Sequence, residues 1–176
     1  MVIATFLILS FSSLAVNTYG LDYSPISKTI SPNIYDSGFH FLGFMHKFIE
    51  YSSQTMTVDF ADESGADRPA IESRSIDGLQ VKFAAQFQYQ LNKGSLVDLY
   101  MRYGEDYKTP CIKFAIDVLN DKATNFTASK YFREIDLIRF DMQSALNIVW
   151  EKECFATIQS VQITKAILPQ QFEMAL

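Results

Sequence analysis

Residues 77–91, DGLQVKFAAQFQYQL, decide the fold. Leu79, Val81, Phe83, Ala85, Phe87, Tyr89 and Leu91 fall at every second position, with Gln80, Lys82, Ala84, Gln86, Gln88 and Gln90 between them. Successive side chains of an extended chain point to opposite faces, so this pattern predicts a half-buried antiparallel strand with an apolar inner face and a glutamine-rich outer one. The outer face is read as solvated, with lateral pairing to another subunit as the alternative. Asp77-Gly78 is a favoured pair for a type I′ hairpin turn, where both central residues take positive φ. Residues 70–76 are then the partner strand.

Upstream of the hairpin, residues 54–60 (QTMTVDF) alternate and predict another strand, followed by a polar loop over 61–69. Between residues 21 and 71, Pro25, Ser31-Pro32, Asp36-Ser37-Gly38 and Gly43 punctuate short runs such as FHFLGF and KFIEY. Residues 1–21 carry no charged side chain, and the first sixteen are apolar apart from Thr5, Ser10, Ser12 and Ser13. This segment predicts a membrane-anchoring helix over 1–19 built on Val2, Ile3, Phe6, Leu7, Ile8, Leu9, Phe11 and Leu14, with Tyr19 at the interface. Sixteen helical residues reach about 24 Å against a hydrocarbon core of about 30 Å, so a full span draws in residues 17–21 or the segment sits shallowly. The rival is a cleaved signal peptide, because Ser13-Leu14-Ala15 has the small-x-small form of a cleavage site.

Downstream of Gly94 the period changes to that of a helix. Ser95 with Asp98 predicts a capped short helix ended by Gly104, and Thr109-Pro110 opens a second with a stripe of Ile112, Ala115, Ile116, Leu119 and Ala123. A third helix carries Ile135, Ile138, Met142, Ala145, Leu146 and Val149. Residues 155–163 alternate again as a strand, and Pro169 opens the start of a C-terminal helix over 169–176. The expected fold is α+β, an antiparallel sheet with helices packed on one face, over residues 20–168.

At 176 residues, 48% of them hydrophobic, the chain suits one globular domain and is not disordered. The net charge of −5 and the scattered Lys and Arg argue against a nucleic-acid partner. Cys111 and Cys154 stand far apart without a CxxC and are read as buried free thiols, with one disulfide as the alternative. His40 and His46 are not at the spacing of a zinc-protease helix, and neither a phosphate-binding nor a nucleophile-elbow motif occurs. Asp62-Glu63 and Asp117 with Asp121 are acidic pairs of the kind found on solvated surfaces. No catalytic, cofactor or metal site is therefore expected. Asn125-Phe126-Thr127 is an N-glycosylation sequon, meaningful if the domain is lumenal or extracellular.

Several of these segments together resemble the SPFH (stomatin, prohibitin, flotillin; band 7) family. They are the apolar N-terminus, Gly38-Phe39-His40-Phe41, the Asp77-Gly78 hairpin with Phe87-Gln88-Tyr89, and Val161-Gln162-Ile163 running into Ile167-Leu168-Pro169, in the family's order. Gly104-Glu105-Asp106-Tyr107 resembles prohibitins and Met142-Gln143-Ser144-Ala145-Leu146 resembles stomatins, and the likeness covers residues 20–176. Ser37 and Gly43 stand where proline is common in the family, and Ile135 where arginine is. The resemblance implies a non-catalytic, membrane-tethered scaffold subunit, single-pass or monotopic. Its implied partners are membrane lipid and further copies of itself or a paralogous SPFH subunit, assembled into rings or cages. On the sequon, the lumenal or extracellular side is favoured. The alternative is a secreted or lumenal α+β binding protein with a cleaved signal peptide.

Overall fold

The computed structural model describes residues 10–167, which pack as two compact units. The first contains the described chain up to Thr55 together with Leu91–Tyr107; the second contains Met56–Gln90 and the described chain from Lys108 onward.

In the first unit, β1 (Phe11–Leu14) pairs antiparallel with β4 (Gly38–Phe41). A separate sheet has β2 (Thr18–Ser24) between β3 (Thr29–Tyr35) and β5 (Lys47–Ser52), both antiparallel to it. Leu21, Ile49 and Tyr51 are buried, as are Leu96 and Leu99 of helix α1 (Leu96–Tyr103). Ser95 sits at the N-cap of α1 as expected, but its side chain makes no capping bond. Gly104, at φ +67°, ends the helix, and its carbonyl accepts a 2.9 Å hydrogen bond from the Tyr51 hydroxyl. Burial pushes the Tyr51 hydroxyl's pKa up, with the neighbouring Tyr100 and Glu105 adding to the shift.

The helix expected for the anchor over residues 1–19 is corrected for its described part, residues 10–19. Phe11 and Leu14 lie on a strand, and Thr18 and Tyr19 on the next, so no helix runs through them. The reason is pairing. An apolar run this short is ambiguous between helix and strand, and Gly38–Phe41 supplies the ladder that settles it. Val2, Ile3, Phe6, Leu7, Ile8 and Leu9 lie outside the described residues. So does the helix start expected at 169–176. Among the described residues, no helix is long and apolar enough to cross a membrane.

The second unit is built on β8 (Gln80–Leu91), whose final residue passes into the first unit. β6 (Met56–Phe60) pairs antiparallel with its C-terminal half and β7 (Ile71–Arg74) with its N-terminal half. β9 (Ala156–Ile167) also pairs with β8 and runs further than the expected 155–163. From Val81 to Leu91 the odd residues are buried and the even ones half-exposed, so the two faces read from the sequence are the faces of the folded strand. Helices α2 (Lys108–Ala123), α3 (Lys130–Arg133) and α4 (Ile135–Glu153) complete the described part of the unit. Trp150 of α4 meets Phe87 and Tyr89 edge-on, with ring centroids 5.0 and 4.7 Å away. Tyr131 of α3 lies against Phe83. The α+β class therefore holds, with antiparallel pairing, but among the described residues the strands form three sheets and not one.

The helical stripes are offset slightly from those expected. On α2 the buried line is Cys111, Ala115, Leu119 and Ala123, with Ile112 and Ile116 half-buried beside it. The helix starts at Lys108, so Pro110 stands in the first turn, where a missing N–H costs no helical bond. On α4 the line is Ile138, Met142, Leu146 and Trp150. Cys111 and Cys154 are bonded to each other, which corrects the expectation of free thiols. The start of α2 lies against the end of α4, and this brings the two Cα atoms to 5.9 Å despite 43 positions of sequence between them.

The turn joining β7 to β8 also differs from its sequence reading. Gly78 has φ +80°, but Asp77 does not have positive φ, so this is not a type I′ pair. The Gly78 N–H donates to the Ser75 carbonyl at 2.9 Å, and the Ser75 N–H donates to the Leu79 carbonyl at 2.9 Å. These bonds close a three-residue loop, a turn followed by a left-handed glycine. No atom crowds the missing Cβ of Gly78, so only its dihedral demands glycine. Gly78→Val should lower the unfolding free energy by about 1–3 kcal/mol, because a β-branched residue resists positive φ. Urea unfolding followed by circular dichroism would measure the difference; parental stability would mean the turn is misplaced.

Candidate membrane-contact face

The charge-free stretches of the sequence are brought together in the first unit. Residues 10–14 (SFSSL) form or abut β1, and residues 37–46 (SGFHFLGFMH) contain β4 and the turn after it. Neither stretch carries Asp, Glu, Lys or Arg; Asp36 and Lys47 bound the second.

The antiparallel register pairs Phe11 with Phe41 and Ser13 with Phe39, which puts these four on one face of the ribbon. Phe39 is 85% exposed, Phe11 60% and Phe41 59%. The rings of Phe11 and Phe41 meet edge-on with centroids 5.3 Å apart. Phe44 and Met45, in the turn that follows, are 38% and 53% exposed. The opposite face holds Ser12, Leu14, Gly38 and His40.

That inner face is what fixes the ribbon to the neighbouring sheet. Leu14 is 5% exposed. A Cβ on Gly20 of β2 would stand 2.6 Å from the Phe48 ring and 3.0 Å from Leu14, so glycine is required there for close approach. His40 packs edge-on against Tyr35 and Phe48, and its Nε2 lies 2.8 Å from the Asp36 carbonyl. The turn is tied down as well. Leu42 and Gly43 both donate their N–H groups to the Ser10 carbonyl, at 3.0 and 3.4 Å. His46 Nδ1 lies 2.6 Å from the carboxylate of Asp22, which is itself buried.

The result is an amphipathic ribbon whose outer surface is aromatic, uncharged and rigidly backed. Hydrating such a patch costs free energy, and clustered exposed aromatics are characteristic of interaction surfaces. Ser10 stands at the edge of this face, and in the sequence it directly follows the largely apolar run Val2–Leu9.

The other expected site residues disperse. Of the anchor residues, Phe11 lies on the exposed face and Leu14 beneath it, while the remainder fall outside the described residues. Asn125 is exposed in the loop after α2. Asp62 and Glu63 line an open trough of about 450 Å³ in the second unit, together with Asp59, Lys82, Gln86 and Thr164. Lys82 is engaged there by Asp62 at 2.7 Å and by Glu72 at 2.8 Å. The Asp62 contact is the larger cause of the raised Lys82 pKa, and Lys82 in turn holds the Asp62 carboxyl below its usual range. This is an ordinary exposed ion-pair cluster. Among the described residues, no group of acidic, histidine or cysteine side chains is placed to hold a metal.

As candidate contact residues, Phe39, Phe41, Phe44 and Met45 are not singled out by the sequence reading, which names Phe39 and Phe41 only in the family resemblance. The available signal is the alternation Phe-His-Phe in a strand free of charge, which puts both rings on one face.

Among curated proteins no sequence matches this chain. The family model described as SPFH domain / Band 7 family matches residues 15–176.

Proposed function

Because this chain belongs to the SPFH/Band 7 family, we propose that it is a non-catalytic membrane scaffold subunit whose β1–β4 aromatic face seats in the lipid interface. The family is generally one of membrane scaffolds, and the observation that carries the proposal is the uncharged face of Phe11, Phe39 and Phe41. Seating a fully exposed phenylalanine in an apolar medium gains about 1.5–3 kcal/mol, so three on one rigid face contribute several kcal/mol, enough for reversible contact but needing a second element for stable anchoring. The largely apolar run Val2–Leu9, which precedes that face in the sequence, then acts as an anchor. Lateral assembly into a ring or cage, with copies of this chain or a paralogous subunit, completes the scaffold role. Detergent-solubilised protein that stayed monomeric at every concentration would argue against that assembly.

The alternative, a secreted binding protein cut after Ala15, is disfavoured by the pairing of β1. Such a cut would remove Phe11–Leu14, leave β4 without its partner strand and take away the Leu14 side chain that packs beside Gly20.

Phe39→Trp provides a direct test. With vesicles containing brominated lipid, emission from the indole introduced at position 39 should be quenched strongly, whereas that of the native Trp150, 1% exposed, should be unaffected. Replacing both Phe39 and Phe41 with Asp should weaken vesicle co-flotation at least tenfold, on the order of the lost apolar transfer. Phe140→Asp, at an exposed position of α4 in the second unit, should not. Unquenched emission from the introduced indole would show that the face lies away from lipid.

A further inference from the structure

We infer that Asn125 carries an N-linked glycan, and that this domain folds on the lumenal or extracellular side of its membrane. The inference stands apart from how the β1–β4 face meets lipid, and two independent observations carry it.

The first is the presentation of the sequon. Asn125-Phe126-Thr127 is the only N-x-Ser/Thr sequence in the chain. Asn125 lies in a turn after α2, where its N–H donates to the Lys122 carbonyl at 3.1 Å. Its side chain is exposed, and its carboxamide makes no hydrogen bond among the described residues. The loop around it is nevertheless fixed. Phe126 is buried, its carbonyl accepts the Ile76 N–H at 2.9 Å, and the Ala128 N–H donates to Asp77 at 3.1 Å. The sequon therefore sits on a rigid surface with only the asparagine pointing outward. Thr127 is half-buried and its hydroxyl lies 3.2 Å from that of Ser129. The hydroxyl serves the transferring enzyme before the loop closes; the asparagine must stay outside afterwards, and it does.

The second observation is the Cys111–Cys154 disulfide, buried at the junction of α2 and α4. Structural disulfides persist in oxidising compartments and are rare where glutathione and thioredoxin keep thiols reduced. Those oxidising compartments are also where asparagine-linked oligosaccharide is attached.

Asn125 Nδ2 displaces the lipid diphosphate from the anomeric carbon of a lipid-linked oligosaccharide. The N–C bond forms and the C–O bond breaks, with its electron pair leaving on the diphosphate and one carboxamide proton passing to the transferase. The two thiols give two electrons and two protons to a thiol–disulfide oxidoreductase.

The test is expression of the full chain in eukaryotic cells, followed by digestion with a peptide:N-glycosidase. One downward step in apparent mass is expected for the parent and for Thr127→Ser, which keeps the sequon. No step is expected for Asn125→Gln or Thr127→Ala. In parallel, in the denatured chain Cys111 and Cys154 should resist an alkylating agent until a reductant is added. A parent chain unchanged by the glycosidase, a step that survives Asn125→Gln, or two thiols alkylated without reductant would each overturn the inference.

Discussion

Replacing Phe87 with alanine should lower the stability of the second unit by about 3–5 kcal/mol. Phe87 is 1% exposed, near the middle of β8, and three other aromatic rings surround it. It stacks on Phe60 with centroids 6.0 Å apart, meets Trp150 edge-on at 5.0 Å, and lies 6.2 Å from Tyr89. The variant loses the transfer of a benzyl group from water and the edge-to-face contact, the latter about 0.5–1.5 kcal/mol beyond burial. A cavity remains because the walls cannot collapse: Phe60 and Tyr89 are held in the ladder and Trp150 is held by α4. Gln86→Ala, on the opposite face, should change stability by less than about 0.5 kcal/mol. The chain has one tryptophan, packed against the substituted ring, so its emission during urea unfolding reports on this unit. A loss below about 1 kcal/mol would contradict the burial on which the prediction rests.

Phe87 was legible because β8 has one apolar and one polar face over its whole length, and no other backbone geometry separates them so cleanly. The helical stripes were legible for the same reason at a different period, although Trp150 escaped because the stripe read from the sequence ends at Val149. Where the sequence misled, distant residues made the decision. Phe11–Leu14 has no period of its own, and whether it coils or extends depends on Gly38–Phe41, which offers it a partner strand. Asp77-Gly78 signals a hairpin but not its loop length. The length is fixed by Ser75, whose backbone and hydroxyl both engage Leu79. The candidate contact face was half-legible: Phe39 and Phe41 share a face by alternation, while their meeting with Phe11 follows from a pairing the sequence does not encode locally.

The cysteines show the same limit and supply the second large effect. Replacing both Cys111 and Cys154 with alanine should cost about 4 kcal/mol. The bond closes a loop between residues 43 apart, and releasing it returns that closure entropy to the unfolded chain. The loop contains α3, α4 and most of α2, so the native helices lose their covalent tie while the β6–β8 and β7–β8 pairings keep all of theirs. Loss of sulfur packing adds to the cost, since both positions are fully buried. Loop closure is the larger contribution, and it can be separated from packing. A reductant should bring the parent most of the way to the variant's urea midpoint while leaving the variant unchanged. If reductant moved neither protein, the thiols would be free in solution and the entropic contribution absent. If it moved both, the shift would belong to the reductant and not to this bond.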